Sequence, residues 1–306
     1  MLDIRTIRQD GPYCYTYSPF HEPVASVRPG ETVCIHTVDA FENKMTPDVK
    51  AFADICAYPF LNPQTGPILV EGAEVGDTLV VKILEIEPTR DHAVTGLVPF
   101  FGGLTSTKPD PTLQDSLAEQ WMFLPFEDGG VRFDEDRVIP YEPFLGTMGV
   151  APEIEAVNAL TPDYYGGNMD CVETRPGNEV WFPVLVPDAH FFTGDAHANQ
   201  GDGELTGVAL EIPAKVTVTF DLKKDYTVQW PRIISKEFIM VAGSARPLDA
   251  AARIAWVELI DWLVNDFGFD RLKAYHLLGQ VGQMRLGNMV DPKFTMVAKM
   301  PRKYLG

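Results

Sequence analysis

The chain is short of cysteine, short of positive charge and without any long apolar run. Four cysteines occur in 306 residues, Cys14, Cys34, Cys56 and Cys171, and no two fall in a CxxC pair. That scatter excludes a zinc-thiolate site and a disulfide framework, and reads as reduced thiols. Lysine and arginine total 25 against 43 acids, a formal net charge of −18. With no basic stripe to meet phosphates, nucleic acid is not an expected partner, and the acidity alone serves solubility. No stretch approaches the roughly 18 apolar residues that a membrane span needs. The opening MLDIRTIRQDG lacks the basic-then-apolar layout of a signal peptide. A cytoplasmic protein with no membrane partner is expected. Gly-x-Ser-x-Gly is also missing, and Ser244 in GSA is not in an elbow context, which disfavours an α/β-hydrolase serine.

What the chain does have is apolar residues at 45% of the total, enough for a sizeable core, punctuated by 25 glycines and 25 prolines. Three segments share one grammar: Arg28-Pro29-Gly30-Glu31, Glu74-Val75-Gly76-Asp77 and Arg175-Pro176-Gly177-Asn178. Each offers a type II turn with glycine third, then a β-branched run, VCIHTVDAF, LVVKILEI or VWFPVLV. Further strands are expected at Ile68–Glu71, Gly207–Glu211 and Val216–Leu222, the last alternating with period two. Residues 105–140 carry mixed charge and little periodicity, and read as a long excursion with little regular structure, a lid or an oligomer contact.

The C-terminal fifth changes character. Pro247-Leu248-Asp249 opens a helix, apolar residues recur from Ile254 to Val264, and Gly268 stands where a helix stops. A second helix is expected from about Phe269 to Gly279, then a strand over Met296–Pro301. The class is α+β, predominantly β. A β-rich region over 1–160 is joined to a β-sandwich half over 161–306 with a helical hairpin at 247–280, the two intertwined.

Polar chemistry concentrates in TGDAHANQGDGELTGVALE, residues 193–211. Asp195 and His197, two apart, fall on one side of an extended chain, and with Glu204 and Glu211 they offer oxygen and nitrogen ligands that suit zinc, manganese or iron. The same aspartates and glycines would also build a plain hairpin, and residue types alone leave both readings open. Gly166-Gly167-Asn168-Met169-Asp170 presents a carboxylate after a tight turn, and Asp39 ends a strand in Thr37–Phe41. Either is equally a turn aspartate. His21, His36 and His92 are isolated; His92, after Asp91, is the one most exposed to a substrate. His190 and His276 sit in apolar settings that favour packing. Cys171 beside Asp170 and near Glu173 is a poor nucleophile, because carboxylates raise a thiol pKa.

Taken together, GGNMD at 166–170, GDAHANQGDGELTGVALE at 194–211, GPILVEGAEVGDTLVVKILEIEP at 66–88 and PFLGTMGVAP at 143–152 resemble the acetamidase/formamidase family. The C-terminal pattern from Asp249 to Tyr304 fits the same family, so the resemblance spans nearly the whole chain. It implies a mostly β fold of sandwich or barrel form, a homodimer or larger homo-oligomer, and hydrolysis of formamide, acetamide or a related small amide. For some relatives it implies a divalent metal and amino-acid amide substrates. PTRDHAVTGLVPFFGGL at 88–104 and DAFENKMTPDVKAFADICAYPFLNPQTGP at 39–67 depart from it, and are expected to shape the substrate pocket. The Gly/Ser-rich segment of Ser-Ser-Lys amidases is absent.

The expected scheme gathers Asp39, Asp170, Asp195, His197 and Glu211 at one divalent metal, zinc first, with manganese or calcium as alternatives. Glu204, with His197, carries the proton work on a water attacking the amide. His92, Asn168 and Gly201 meet substrate, and the Gly201 to Gly203 turn offers N–H groups to the oxyanion. Two rivals stand beside it: a hydrolase of amino-acid amides, lactams or carbamates on the same fold, and a non-catalytic metal- or ligand-binding β-sandwich.

Overall fold

The computed structural model describes residues 4–105 and 117–306. The three turn-strand units form as their sequences dictate. Glu31, Asp77 and Asn178 each donate a backbone N–H to the carbonyl three residues earlier, at 2.9, 3.0 and 3.2 Å, with Gly30, Gly76 and Gly177 at φ 83°, 101° and 90°. The strands that follow, Thr32–Thr37, Thr78–Pro88 and Glu179–Pro183, lie in one nine-stranded sheet. There the Ala214–Lys223 strand sits between the first two, pairing antiparallel with both.

A ten-stranded sheet contains Phe144–Val150, Phe191–His197 and Glu211–Ile212 as neighbours. Neither sheet closes on itself, so of sandwich and barrel the structure is a sandwich. Each sheet takes strands from both sides of residue 160. The period-two pattern explains how the layers stack. Leu79, Val81 and Ile83 of one strand point into the core shared by the two sheets, where Phe191 of one meets Phe220 of the other at 5.2 Å between ring centres. Val80 points to the opposite face, with Trp181, Ile239, Val241 and Met300, against the helices.

Those helices are Leu248–Phe267 and Arg271–Val281. Gly268 ends the first in the left-handed region at φ 69°. The second begins later than its apolar pattern suggests, because the Asp270 carboxylate caps it by accepting the Lys273 N–H at 3.0 Å. Among the described residues, no helix is long and apolar enough to cross a membrane.

Four expectations are corrected. Residues 105–140 are not an irregular excursion where described: Gln120–Glu127, Gly130–Arg132 and Val138–Pro140 form a meander on the ten-stranded sheet. The aromatic run QWMFLPFE favours strand, and Asp128-Gly129, at φ 53° and 77°, is the two-residue turn that joins Glu127 to Gly130. The rest of that stretch, 106–116, lies outside the described residues. Gly207–Glu211 is largely irregular after a bend at Gly207, and only Glu211–Ile212 is strand. Gly207 at φ 82° takes the chain out of extended geometry. His276 is exposed on its helix, and His190 is half-buried in left-handed backbone at φ 48°, so neither is a packed core residue.

Candidate active site

The adjoining strands Glu211–Ile212, Phe191–His197, Phe144–Val150 and Gly166–Asn168 of the ten-stranded sheet carry a buried acidic cluster. In its ladder, His197 lies opposite Phe144 on one side and Glu211 on the other, and Thr147 lies opposite Asn168. These pairings alone bring four sequence-distant segments together. Gly146 sits across from Asp195, between the pairs Leu145–Ala196 and Thr147–Gly194. A Cβ at Gly146 would stand 2.6 Å from Asp195 Oδ2, 2.7 Å from Asp170 Oδ1 and 2.7 Å from His197 Cε1. Only glycine leaves room for the three side chains to meet.

The imidazole is held in one tautomer. Gln200 Nε2 donates to the carbonyls of Asp170 and Gly287, each at 3.1 Å, which turns its Oε1 to His197 Nδ1 at 3.0 Å. Nδ1 must therefore carry the proton, and Nε2 faces Asp195 Oδ1 and Glu211 Oε1, each 3.4 Å away, with its lone pair. The ring stacks edge-on to Phe144. Asp195 is fixed from behind by Asn62 Nδ2 and the Thr147 hydroxyl, both donating to Oδ2 at 2.9 Å. Asn168 Oδ1 accepts from Asn62 Nδ2 at 3.0 Å and lies beside the Thr147 hydroxyl, and its Nδ2 donates to Asp291 Oδ2 at 2.8 Å.

Five carboxyls are thus buried together: Asp170, Asp195, Glu204, Glu211 and Asp291. Burial pushes the Asp170 carboxyl well above the ordinary range, and the charges of Asp291 and Asp195 add to it. Glu204 is raised by burial and then by Asp170 and Asp195; Glu211 by burial and then by Asp195 and Glu204. Asp291 is raised by burial and Glu204. Asp195 goes the other way: burial raises it, but the charge and hydrogen bond of His197 when protonated at both nitrogens, with the Thr147 hydroxyl, outweigh burial and hold it low. Asp170, Asp195, Glu204 and Asn62 all sit at positive φ, 46°, 55°, 49° and 53°. Backbone held in this region costs about 1–3 kcal/mol per residue and concentrates where function requires it.

The cluster is short of positive charge and of donors. Among the described residues, both Asp170 oxygens, Glu211 Oε2 and His197 Nε2 are buried without a hydrogen-bond partner. One donor atom each from Asp170, Asp195 and His197 lies within 4.8 Å of the other two, and the same holds for His197, Glu204 and Glu211 and for Asp170, Glu204 and Asp291. Unpaired buried oxygens beside an imidazole lone pair could hold a metal ion. A cleft of about 380 Å³ reaches this cluster at Glu204 and Gln200.

Not every expected residue joins the cluster. Asp39 is fully buried nearby, but its Oδ2 binds Arg90 Nη1 at 2.7 Å and its Oδ1 accepts the N–H groups of Phe41 and Asn43. Arg90 also donates to the Glu211 carbonyl at 3.2 Å, so Asp39 braces the site through Arg90. His92 holds Asp91 at 2.7 Å, stands edge-on to Phe123 and does not line the cleft. Asn168 is spent on bracing its neighbours. Gly201 does line the cleft, while the Gly203 N–H is taken by the carbonyls of Leu286 and Gly287 at 3.2 Å and is not free for an oxyanion. Cys171 is fully buried, its thiol pushed up by burial and then by Glu173 and Asp170, unsuited to attack. Sequence reasoning missed Asp291, Asn62, Gln200 and Arg90. Gln200 lies inside the conspicuous 193–211 string, whereas Asp291 follows the helical hairpin with no local signal.

The sequence profile of the Acetamidase/Formamidase family matches residues 5–161 and 150–304. The chain belongs to that family. A crystal structure of an acetamidase from Yersinia enterocolitica is 42% identical, with a TM-score of 0.96 over 99% of this chain and 93% of that one. An acetamidase structure from Bacillus halodurans is 30% identical, with a TM-score of 0.90 over 98% of each chain. A formamidase from Methylophilus methylotrophus is 26% identical across 91% of this chain and 85% of its own length. These relatives make this acetamidase/formamidase family member an amidohydrolase.

Proposed function

We propose that this protein hydrolyses a linear primary carboxamide to a carboxylate and ammonia, with a divalent metal held by Asp170, Asp195, His197 and Glu211. The observation that carries the reading is the buried His197 Nε2, held by Gln200 toward Asp195 and Glu211 in a cluster where both Asp170 oxygens and Glu211 Oε2 have no hydrogen-bond partner. The donor set fits zinc best and manganese next; calcium, which takes oxygen ligands, suits an imidazole less. Such an ion, when bound, polarises the amide carbonyl and makes a water more acidic.

The chain's own groups do the rest. Asn62 and Thr147 hold Asp195 in place, and Gln200 holds His197, so the donors need no reordering. Glu204 lies between the cluster and the cleft, and burial beside Asp170 gives its carboxyl a higher proton affinity. It takes a proton from the water as oxygen adds to the carbonyl carbon. It returns that proton to nitrogen as the C–N bond breaks, and ammonia leaves. A purely binding site would have no use for such a carboxyl on its open side.

The test is ammonia release from a panel of primary amides, before and after chelation, with zinc and manganese restored separately. Loss on chelation and recovery with metal supports the scheme; release indifferent to chelation sinks the metal and leaves Glu204 to be examined with a protein nucleophile. A cytoplasmic homodimer or larger homo-oligomer belongs to the same reading. Four free cysteines fit a reducing compartment, and the exposed Tyr58 and Phe60 offer apolar surface for a second copy; light scattering gives the size.

A further inference from the structure

The cleft that reaches Glu204 is larger and more apolar than formamide or acetamide can use. At about 30 Å³ per heavy atom, taking the share of a water molecule, the four heavy atoms of acetamide need roughly 120 Å³. The cleft offers about 380 Å³. Thr95 lies opposite Met122, and Leu97 opposite Gln120, on adjacent strands, so these four side chains share one face. Phe133 and Ile139 from the meander, with Leu205 and Leu210 from the segment around Glu204, add apolar lining. Among the described lining residues there is no lysine, arginine or histidine, and Glu204 is the one acid. Thr95 and Leu97 lie in the 88–104 stretch, expected from the sequence to shape the substrate pocket.

From this we infer that the preferred substrate is a primary amide of an uncharged, apolar acyl group of about five to ten carbons, aliphatic or aromatic. The inference rests on the amidohydrolase reading above. The carboxamide would lie at Glu204 and the acyl chain along Leu97, Met122, Leu205 and Leu210. An acyl group ending in a carboxylate would find no cation among the described lining residues. An α-ammonium group would have to be desolvated against aliphatic carbon, with Glu204 as the one counter-charge among the described lining residues. Each methylene moved from water into the cleft is worth about fourfold in kcat/KM, so hexanamide should exceed acetamide on the order of a hundredfold.

The experiment measures kcat/KM by ammonia release with the zinc-loaded, full-length protein on formamide, acetamide, butanamide, hexanamide, benzamide and glutaramic acid. Hexanoate and acetate are also compared as ligands by calorimetry. A rise along the aliphatic series, poor turnover of glutaramic acid and tighter hexanoate binding support the inference. Leu205→Asp, at a position 48% exposed that places no demand on folding, should cut the hexanamide-to-acetamide ratio at least tenfold. Val208→Phe, which fills the cleft, should lower the same ratio. If acetamide or formamide is the best substrate and chain length brings no gain, the inference is overturned while the amidohydrolase reading stands. If no amide releases ammonia, both fall.

Discussion

Replacing Gly146 by alanine adds one methyl group at the point where three site residues converge. Its Cβ would lie 2.6 Å from Asp195 Oδ2, 2.7 Å from Asp170 Oδ1 and 2.7 Å from His197 Cε1, where ordinary contact begins at 3.4 Å. Each neighbour would have to retreat by roughly 0.7 Å, the difference between those distances. Two of the three are not free to do so: Asp195 is tied to Asn62 and Thr147, and His197 to Gln200. Overpacking of this kind costs about 1–3 kcal/mol of stability. The larger effect falls on function, because a displacement near 1 Å of positioned groups costs about a hundredfold in rate. The expected result is a folded protein with a lowered melting temperature, less than stoichiometric zinc by elemental analysis and kcat/KM down about a hundredfold. Gly201→Ala is the control for stability: nothing stands within 4 Å of its added Cβ, so its unfolding free energy should change by less than about 0.5 kcal/mol. Full zinc content and full activity in Gly146→Ala would refute the convergence of these side chains on one ion.

Three further outcomes follow from the same structure. Glu204→Gln should retain its metal and lose about 10²–10⁴-fold in kcat, read by steady-state ammonia release beside metal analysis; unchanged turnover removes Glu204 from the proton path. Arg90→Met leaves the fully buried Asp39 carboxylate without its counter-ion and should cost about 3 kcal/mol in urea unfolding, largely recovered in the Arg90→Met/Asp39→Asn double variant. An unaltered urea midpoint in the single variant would show that the pair contributes nothing. Asp77 is raised by burial, but Lys224 and the backbone N–H groups of Glu74 and Asp225 outweigh this and hold it below its ordinary 3.8. A lowered folded pKa gives stability that is present above the unfolded value and lost as pH falls through the folded one. The stability gap between the parent protein and Asp77→Asn should therefore narrow on acidification below about pH 4, and a gap independent of pH would contradict the assignment.

Which parts of the molecule could be read from the sequence follows from the range of the forces involved. The type II turns need only Gly at a fixed offset, and the hairpin of helices needs only apolar periodicity and Gly268, so both were legible. The pairing of Asp195 with His197 was legible for a less direct reason. Asp195 is not in extended backbone, yet the ladder to Phe144 and Glu211 still turns the two side chains together. Asp128-Gly129 was a local signal that the surrounding mixed charge concealed. Asp291 had no local signal to conceal, and Asp39 had only that of a turn aspartate. Both are aspartates near strand ends or turns, yet one is claimed by Arg90, 51 positions on, and the other by Asn168, 123 positions back. A carboxylate's role is decided by the first cation or donor to reach it in the folded chain, and sequence spacing does not encode that distance. The glycine at 146 makes the same point from the other side: it carries no chemistry, and the cluster depends on the space it leaves.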